Sequence, residues 1–379
     1  MSASSSKARP DAVTGSLLAP FALSGLTLRN RLAVAPMTRV SAEADGRPTA
    51  RMAEYYAGFA RGGFGLVITE GLATDTAYAQ GYLHQPGLTD DAQRDGWRSV
   101  VAGVHAHGAR IVAQLMHAGA LSQGNPFRAG TKGPSAVRPK GEQMPFYRGS
   151  GPYPVPAAMT ADDIATVVEG FARAAALARD AGFDGIEIHA ANGYLLDQFL
   201  SEGINRRDDH YGRDRAGRLR LPVEVVEAVR AAVGRDVPIG IRLSQGKVND
   251  PTHTWSGEAE AACIFGTLGR LVDYLHTTEH EAWQPAFDAG PSLAALAKRH
   301  GLKPVMANGS LHAPERAAAL LARGEADLVS LGRGALVHAD WPRRLADGLP
   351  LLDFDRGLLS PIADLANADR FRAQDRGAA

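Results

Sequence analysis

The chain has 379 residues, its 41 Lys+Arg balance 41 Asp+Glu, and 45% of it is hydrophobic. That length buries a large core without disulfides and suits either several ordinary domains or one α/β barrel. Zero net charge leaves no electrostatic footprint for nucleic acid or an anionic membrane, and the single cysteine, Cys263, excludes an internal disulfide and any cysteine-built metal or iron–sulfur centre. A lone thiol fits a reducing compartment, so the expectation is a cytoplasmic protein with no metal site, no nucleic acid and no membrane partner.

Residues 1–16 are polar and Ser-rich, lack the apolar core of a signal peptide, and read as a disordered tail. From residue 17 the pattern is alternation. Short apolar runs at 31–36, 65–70, 110–116, 184–189, 238–243, 271–276, 304–307 and 327–331 have the character of strands buried on both faces of a parallel sheet. Helical patterns lie between them. Residues 49–61 place Met52, Tyr55, Tyr56 and Phe59 at helical spacing, and 90–107 place Trp97, Val100, Val101 and Val104 on one face. Thr160 and Asp163 form a capping pattern, Ile164, Val167, Val168, Phe171 and Ala175 form a buried stripe, and Gly182 ends that helix. Helices over 222–233, 258–269, 292–300, 314–323 and 341–347 follow. Two arginine clusters, at 206–207 and 213–220, read as solvated loop or helix start. Residues 366–379 read as a flexible tail.

Eight strand–helix repeats predict a single (β/α)8 TIM barrel over 17–365. A doubly wound open sheet is disfavoured because the first strand is followed by Ala35-Pro36-Met37-Thr38-Arg39, a stiff turn, and not by a glycine-rich dinucleotide loop. Residues 120–156 break the pattern with Gly, Pro and no periodicity; after the third strand they would form a capping loop over the pocket.

Sites in such barrels form at the C-terminal strand ends. Polar residues gather there: Thr38 after strand one, Gly71 after two, Gln114 in three, His189 ending four with Asn192 and Tyr194 beyond, and Arg242 in five. Asn308, Gly309 and Ser310 follow strand seven, and Gly332 and Arg333 follow strand eight. Glycines let backbone N–H groups approach an oxyanion, and a guanidinium binds it bidentately, so these last two loops predict a phosphorylated ligand.

The run from His189 through Asn192, Tyr194 and Asp197 to Leu200 resembles the active-site strand of the Old Yellow Enzyme family of FMN-dependent ene-reductases. Ala35-Pro36-Met37-Thr38-Arg39, Gly240-Ile241-Arg242-Leu243-Ser244 and Leu331-Gly332-Arg333 are similar to its other motifs, as is Asn205 to Gly212, and the resemblance spans roughly residues 17–345. It implies non-covalent FMN held by Pro36, Met37, Thr38, Gly71, Gln114 and Arg242, with the phosphate on Asn308, Gly309, Ser310, Gly332 and Arg333. It further implies hydride delivery from NADPH or NADH, substrate carbonyl binding by His189 and Asn192, and protonation by Tyr194. The activity implied is reduction of the activated C=C bond of α,β-unsaturated carbonyl compounds. The alternative is a biosynthetic flavoenzyme performing isomerisation or desaturation without net NAD(P)H use. A lysine-dependent aldolase is disfavoured, since no lysine lies in the eight predicted strand segments.

Several positions depart from the family pattern. Arg213-Asp214-Arg215 replaces Gly and Ser, Met116 stands where an aromatic residue is common, and no tyrosine follows Tyr274, so an aromatic wall from the C-terminal segment would need Phe371. Tyr82, Met116 and Trp255 are the further residues expected to contact substrate, the last from an unusual stretch, 247–257, expected to line or cap the pocket.

Overall fold

Alternation with a period of two sorts the strand side chains into two layers. Leu32, Val34, Val67, Ile111, Ala113, Ile186, Ile188, Ile239, Ile241 and Leu275 belong to the large core shared with the surrounding helices. Their neighbours, such as Ala33, Leu66, Ile68, Val112, Met306 and Leu328, face inward. The computed structural model, which describes residues 12–378, closes these strands into a parallel barrel. The strands are β1 (Leu32–Val34), β2 (Leu66–Ile68), β3 (Arg110–Met116) and β4 (Gly185–Asn192). They continue with β5 (Ile239–Lys247), β6 (Tyr274–Thr278), β7 (Val305–Asn308) and β8 (Leu328–Leu331). Each pairs with the next, and β8 pairs with β1.

The outer helices are α1 (Ala50–Arg61), α2 (Asp91–His105), α3 (Ala161–Ala181), α4 (Arg215–Val233), α5 (Glu258–Gly269), α6 (Leu293–Gly301), α7 (Pro314–Ala322) and α8 (Trp341–Asp347). Thr160 and Asp163 form the anticipated capping box of α3, and Gly182 ends it in the left-handed region at φ 93°. A short hairpin, Phe21–Leu23 with Leu26–Leu28, plugs the N-terminal end of the barrel through Leu23 and Leu28.

Four expectations need correction. Helix α4 starts seven residues before Pro222, at Arg215, because the Asp214 carboxylate caps it by accepting from the Gly217 N–H at 2.8 Å; Pro222 is carried inside the helix. Arg207 is not a solvated loop residue: its guanidinium donates to the carbonyls of Pro134 and Met159 at 3.0 and 2.6 Å, tying the interior of the capping segment to the chain just past its end. The ends of the chain are also more structured than their polarity suggests. Residues 1–11 of the anticipated tail lie outside the described residues, but Ala12–Leu18 is a helix that buries Leu17. Leu365–Ala378 is a helix too, and Ala368 packs with Leu336 and Leu358. Among the described residues, no helix is long and apolar enough to cross a membrane.

Candidate active site

The upper barrel interior is polar, and strand register decides which groups meet. Gln114 pairs beside Glu187, and Arg242 pairs beside both His189 and His276. Glu187, fully buried, accepts from Gln114 Nε2 at 2.8 Å and the Tyr274 hydroxyl at 3.1 Å, and bonds His276 Nδ1 at 2.9 Å; His276 Nε2 reaches the Ser330 hydroxyl at 2.8 Å. Burial pushes the Glu187 carboxyl up, but His276, Arg242 and the Gln114 bond outweigh it and hold the group below the usual range. With one Nε2 hydrogen given to Glu187, Gln114 keeps its Oε1 acceptor and its second Nε2 hydrogen.

Above this layer opens a cavity of about 420 Å3. It is lined by Pro36, Met37, Thr38, Gly71, Gln114, Met116, His189, Asn192, Tyr194, Arg242, Asn308, Gly309, Ser310, Gly332 and Arg333. The tip of β4 turns sharply, with Asn192 and Gly193 both left-handed at φ 63° and 88°. His189 Nδ1 accepts from the Ala191 N–H at 3.3 Å, which leaves the Nε2–H as the donor of a neutral ring. Burial, with the nearby Arg242 and His276, pushes the His189 pKa well down and keeps it neutral. The Tyr194 ring meets His189 edge-on with centroids 5.0 Å apart, and its hydroxyl lies 2.5 Å from that of Tyr82. Burial pushes the Tyr194 phenol up to about 12, so it stays protonated at neutral pH.

At the other end of the cavity, Arg242 Nη2 donates to Asn308 Oδ1 at 3.0 Å. Burial lowers the guanidinium to about 10, so it remains a cation at neutral pH. Arg333 donates to the Ser310 hydroxyl at 2.7 Å, which itself bonds the His280 carbonyl at 2.7 Å. Gly309 approaches Glu279 so closely that an added Cβ would sit 2.4 Å from the Glu279 carbonyl oxygen. The Thr38 turn is fixed from two sides: Tyr147 donates to the Thr38 carbonyl at 3.3 Å, and the Arg39 N–H donates to Glu70 at 2.9 Å.

Two anticipated substrate contacts lie off the cavity wall. Tyr82 stands behind Tyr194 and touches it through the hydroxyl. Trp255 turns away, its ring packed edge-on against Phe265 of α5, because its backbone N–H is bound by Gln245 Oε1; from that stretch the residue on the cavity wall is Val248. Phe371 packs over Gly357, and Leu359 supplies the C-terminal wall in its place. Among the residues that sequence reasoning missed are Met144, Phe146 and Tyr147 of the capping segment and Glu279 after β6. The aromatic pair in a Gly/Pro-rich loop was the available signal for the first group.

The profile of the NADH:flavin oxidoreductase / NADH oxidase family matches residues 16–351. A protein of Leishmania infantum described as a probable flavin mononucleotide-dependent alkene reductase is 35% identical, over 88% of this chain and 91% of that one. The structure of the old yellow enzyme homologue from Zymomonas mobilis superposes with a TM-score of 0.81 at 34% identity, over 89% of this chain and 94% of that one. The chain belongs to the Old Yellow Enzyme family. As a member it is an FMN-dependent NAD(P)H oxidoreductase. Morphinone reductase, another member, solved in complex with tetrahydroNAD, gives a TM-score of 0.82 at 34% identity, covering 93% of this chain and 96% of that one. Against the NADH oxidase of Thermoanaerobacter brockii the chain spans about half the relative's length (50%), at 33% identity over 86% of its own.

The residues present suit the family's cofactor. Arg242 Nε is buried with no partner among the described residues, which is the state of a donor waiting for an acceptor in the cavity. At the far end a guanidinium and a hydroxyl, Arg333 and Ser310, meet beside glycine backbone, a donor set matched to a phosphate.

Proposed function

We propose that the enzyme reduces the C=C bond of α,β-unsaturated carbonyl compounds, with Tyr194 as the acid. The observation that carries this reading is a protonated phenol and a neutral imidazole, rings 5.0 Å apart, in one buried cavity with Asn192. Pro36, Met37, Thr38, Gly71, Gln114 and Arg242 would hold the isoalloxazine, and Asn308, Gly309, Ser310, Gly332 and Arg333 the ribityl phosphate. Bound FMN supplies the hydride, taken from NADPH or NADH, that the β-carbon receives.

The protein's own part is electrostatic and acid catalysis. His189 Nε2–H and the Asn192 amide donate to the substrate oxygen, which becomes more negative as the β-carbon is reduced, so both bonds strengthen toward the transition state. A neutral donor is the right one here, since it stabilises charge without giving up its proton. Tyr194 transfers its hydroxyl proton to the α-carbon. The developing phenolate is stabilised by the Tyr82 hydroxyl at 2.5 Å and by the Arg242 charge. The Met144, Phe146, Tyr147 and Val248 side chains wall the site from above and limit water.

Tyr194→Phe tests the assignment by single-turnover kinetics. The NADPH half-reaction is expected to stay within a few-fold of wild type, while the 2-cyclohexenone half-reaction slows by about 10²–10⁴-fold, the usual worth of a positioned acid. Two unchanged half-reactions would remove Tyr194 from the mechanism.

A further inference from the structure

The tip of β4 carries one of the two substrate-oxygen donors in a backbone conformation that needs holding. Asn192 is left-handed at φ 63° and Gly193 follows at φ 88°, so the turn persists only if its surroundings over-determine it. Its backbone groups are held one by one. The Asn192 N–H donates to the Ser244 hydroxyl at 2.8 Å, and its carbonyl accepts from the Val248 N–H at 3.1 Å. The Gly193 N–H donates to Asp197 Oδ2 at 2.6 Å, and its carbonyl accepts from Gln198 Nε2 at 2.7 Å. The other oxygen of Asp197 accepts from the Lys247 ammonium at 2.8 Å, and the two side chains are 0% and 1% exposed.

Lys247 is therefore joined to this turn twice. Its backbone pairs with Asn192 at the end of the β4–β5 ladder, and its ammonium reaches under the turn to Asp197. Its Cβ also lies 3.1 Å from where a side chain on Gly193 would begin, so the stem fills the space the turn leaves. A fully buried ion pair is an expensive way to gain stability, because desolvating both charges offsets most of their attraction, and a hydrophobic pair of the same volume often does as well. Its distinctive property is directional: removing either charge leaves the other buried without this counter-ion, so the two strand tips are held to one relative placement.

We propose that Lys247 and Asp197 are positioning residues that set the Asn192 amide for the substrate carbonyl oxygen, acting as a buried strut between the tips of β4 and β5. This rests on the reading of Asn192 as a substrate-oxygen donor. The strut also fixes Val248, the neighbour of Lys247 on the cavity wall, so it couples the donor to the mouth of the site.

The test is the double variant Asp197→Asn/Lys247→Met, which removes both charges, keeps an acceptor for the Gly193 N–H and leaves no uncompensated ion. In the FMN-loaded enzyme, the dissociation constant of cyclohexanone, a saturated ketone with no C=C bond for the proposed reaction to reduce, is read from the perturbed visible spectrum. The 2-cyclohexenone half-reaction is then timed by single turnover. The strut predicts a melting temperature within a few degrees of wild type, about 10-fold weaker cyclohexanone binding and a half-reaction slowed about 10–100-fold, the effect of a misplaced catalytic contact. A variant that binds and reacts within twofold of wild type overturns the proposal. Should the double variant not fold, Lys247→Gln, which keeps a neutral donor toward Asp197, takes its place: weaker binding with a slowed half-reaction supports the strut, and values within twofold of wild type overturn it. Asn192→Ala in parallel separates the two levels: if it too leaves cyclohexanone binding and the half-reaction intact, the role given to Asn192 fails, whereas a loss there with none in the Lys247 variants sinks the strut alone.

Discussion

The two ends of the barrel interior are built on opposite principles. The floor is apolar: Leu23 and Leu28 of the hairpin meet Leu66, Ile68, Val112, Met306 and Leu328 with no charged group among them. The mouth end, two residues further along the same strands, is polar: Gln114, His189, Arg242 and Ser330 line the cavity and Glu187 and His276 lie beneath it, all buried and nearly all hydrogen-bonded. The floor is where burial stabilises the fold, and the mouth is where desolvation is offset by hydrogen bonds among buried polar groups, to which the proposed function gives the ligand and the reaction. Variants of the two ends should therefore separate stability from chemistry.

Leu66→Ala in the floor gives the largest expected change, a loss of about 2–5 kcal/mol of unfolding free energy in denaturant titrations from the cavity it leaves. The NADPH and enone half-reactions of the folded fraction should be unaltered, and slowed chemistry would break the division. Arg242→Met in the mouth reverses the signature. FMN affinity, measured by ultrafiltration of the reconstituted protein, should fall by about 1.5–3 kcal/mol, the worth of a hydrogen bond from a charged donor, with a smaller change in the melting of the cofactor-free chain.

Glu70 sharpens the comparison, because it is buried beneath the Thr38 turn as a carboxyl whose pKa burial lifts from 4.5 to about 7, against the opposing pull of the Arg39 N–H and charge. A native pKa above the unfolded one means that the folded state binds more protons between these values, so stability should fall as pH rises from about 4.5 to 7. Glu70→Gln should flatten that slope by about 1–3 kcal/mol in melts across this range, and an unchanged slope would show that Glu70 titrates normally. The smallest effect belongs to Tyr147→Phe, which removes the bond to the Thr38 carbonyl and should cost about 1 kcal/mol of stability while the cavity wall stays in place.

The barrel was legible because both faces of its strands are covered, which writes each strand as a continuous apolar run between helical patterns. All eight runs overlap observed strands, although β6 begins at Tyr274, three residues later than its run. The strand-tip residues were legible for the same reason, since a polar residue ending an apolar strand has few places to go. Trp255 was misread because its orientation is set by the partners the fold brings to it: Gln245 and Phe265, each ten positions away, draw its buried ring off the cavity. Tyr147 carried only the weak signal of an aromatic pair in a Gly/Pro-rich loop, because its bond to Thr38 crosses 109 positions. The C-terminal helix was missed because its residues are mostly polar and only a narrow strip around Ala368 and Phe371 packs. Pro222 misled because a proline within a helical pattern reads as a first-turn residue, while the true start is set by the Asp214 cap.

The central claim, one cavity that binds a flavin, takes hydride from NAD(P)H and reduces an enone, is tested most directly by anaerobic visible spectroscopy of the FMN-loaded protein. The account predicts that NADPH bleaches the flavin band and that 2-cyclohexenone then restores it. A protein that shows no flavin band after incubation with FMN, or a bleached band that the enone leaves untouched, would contradict it.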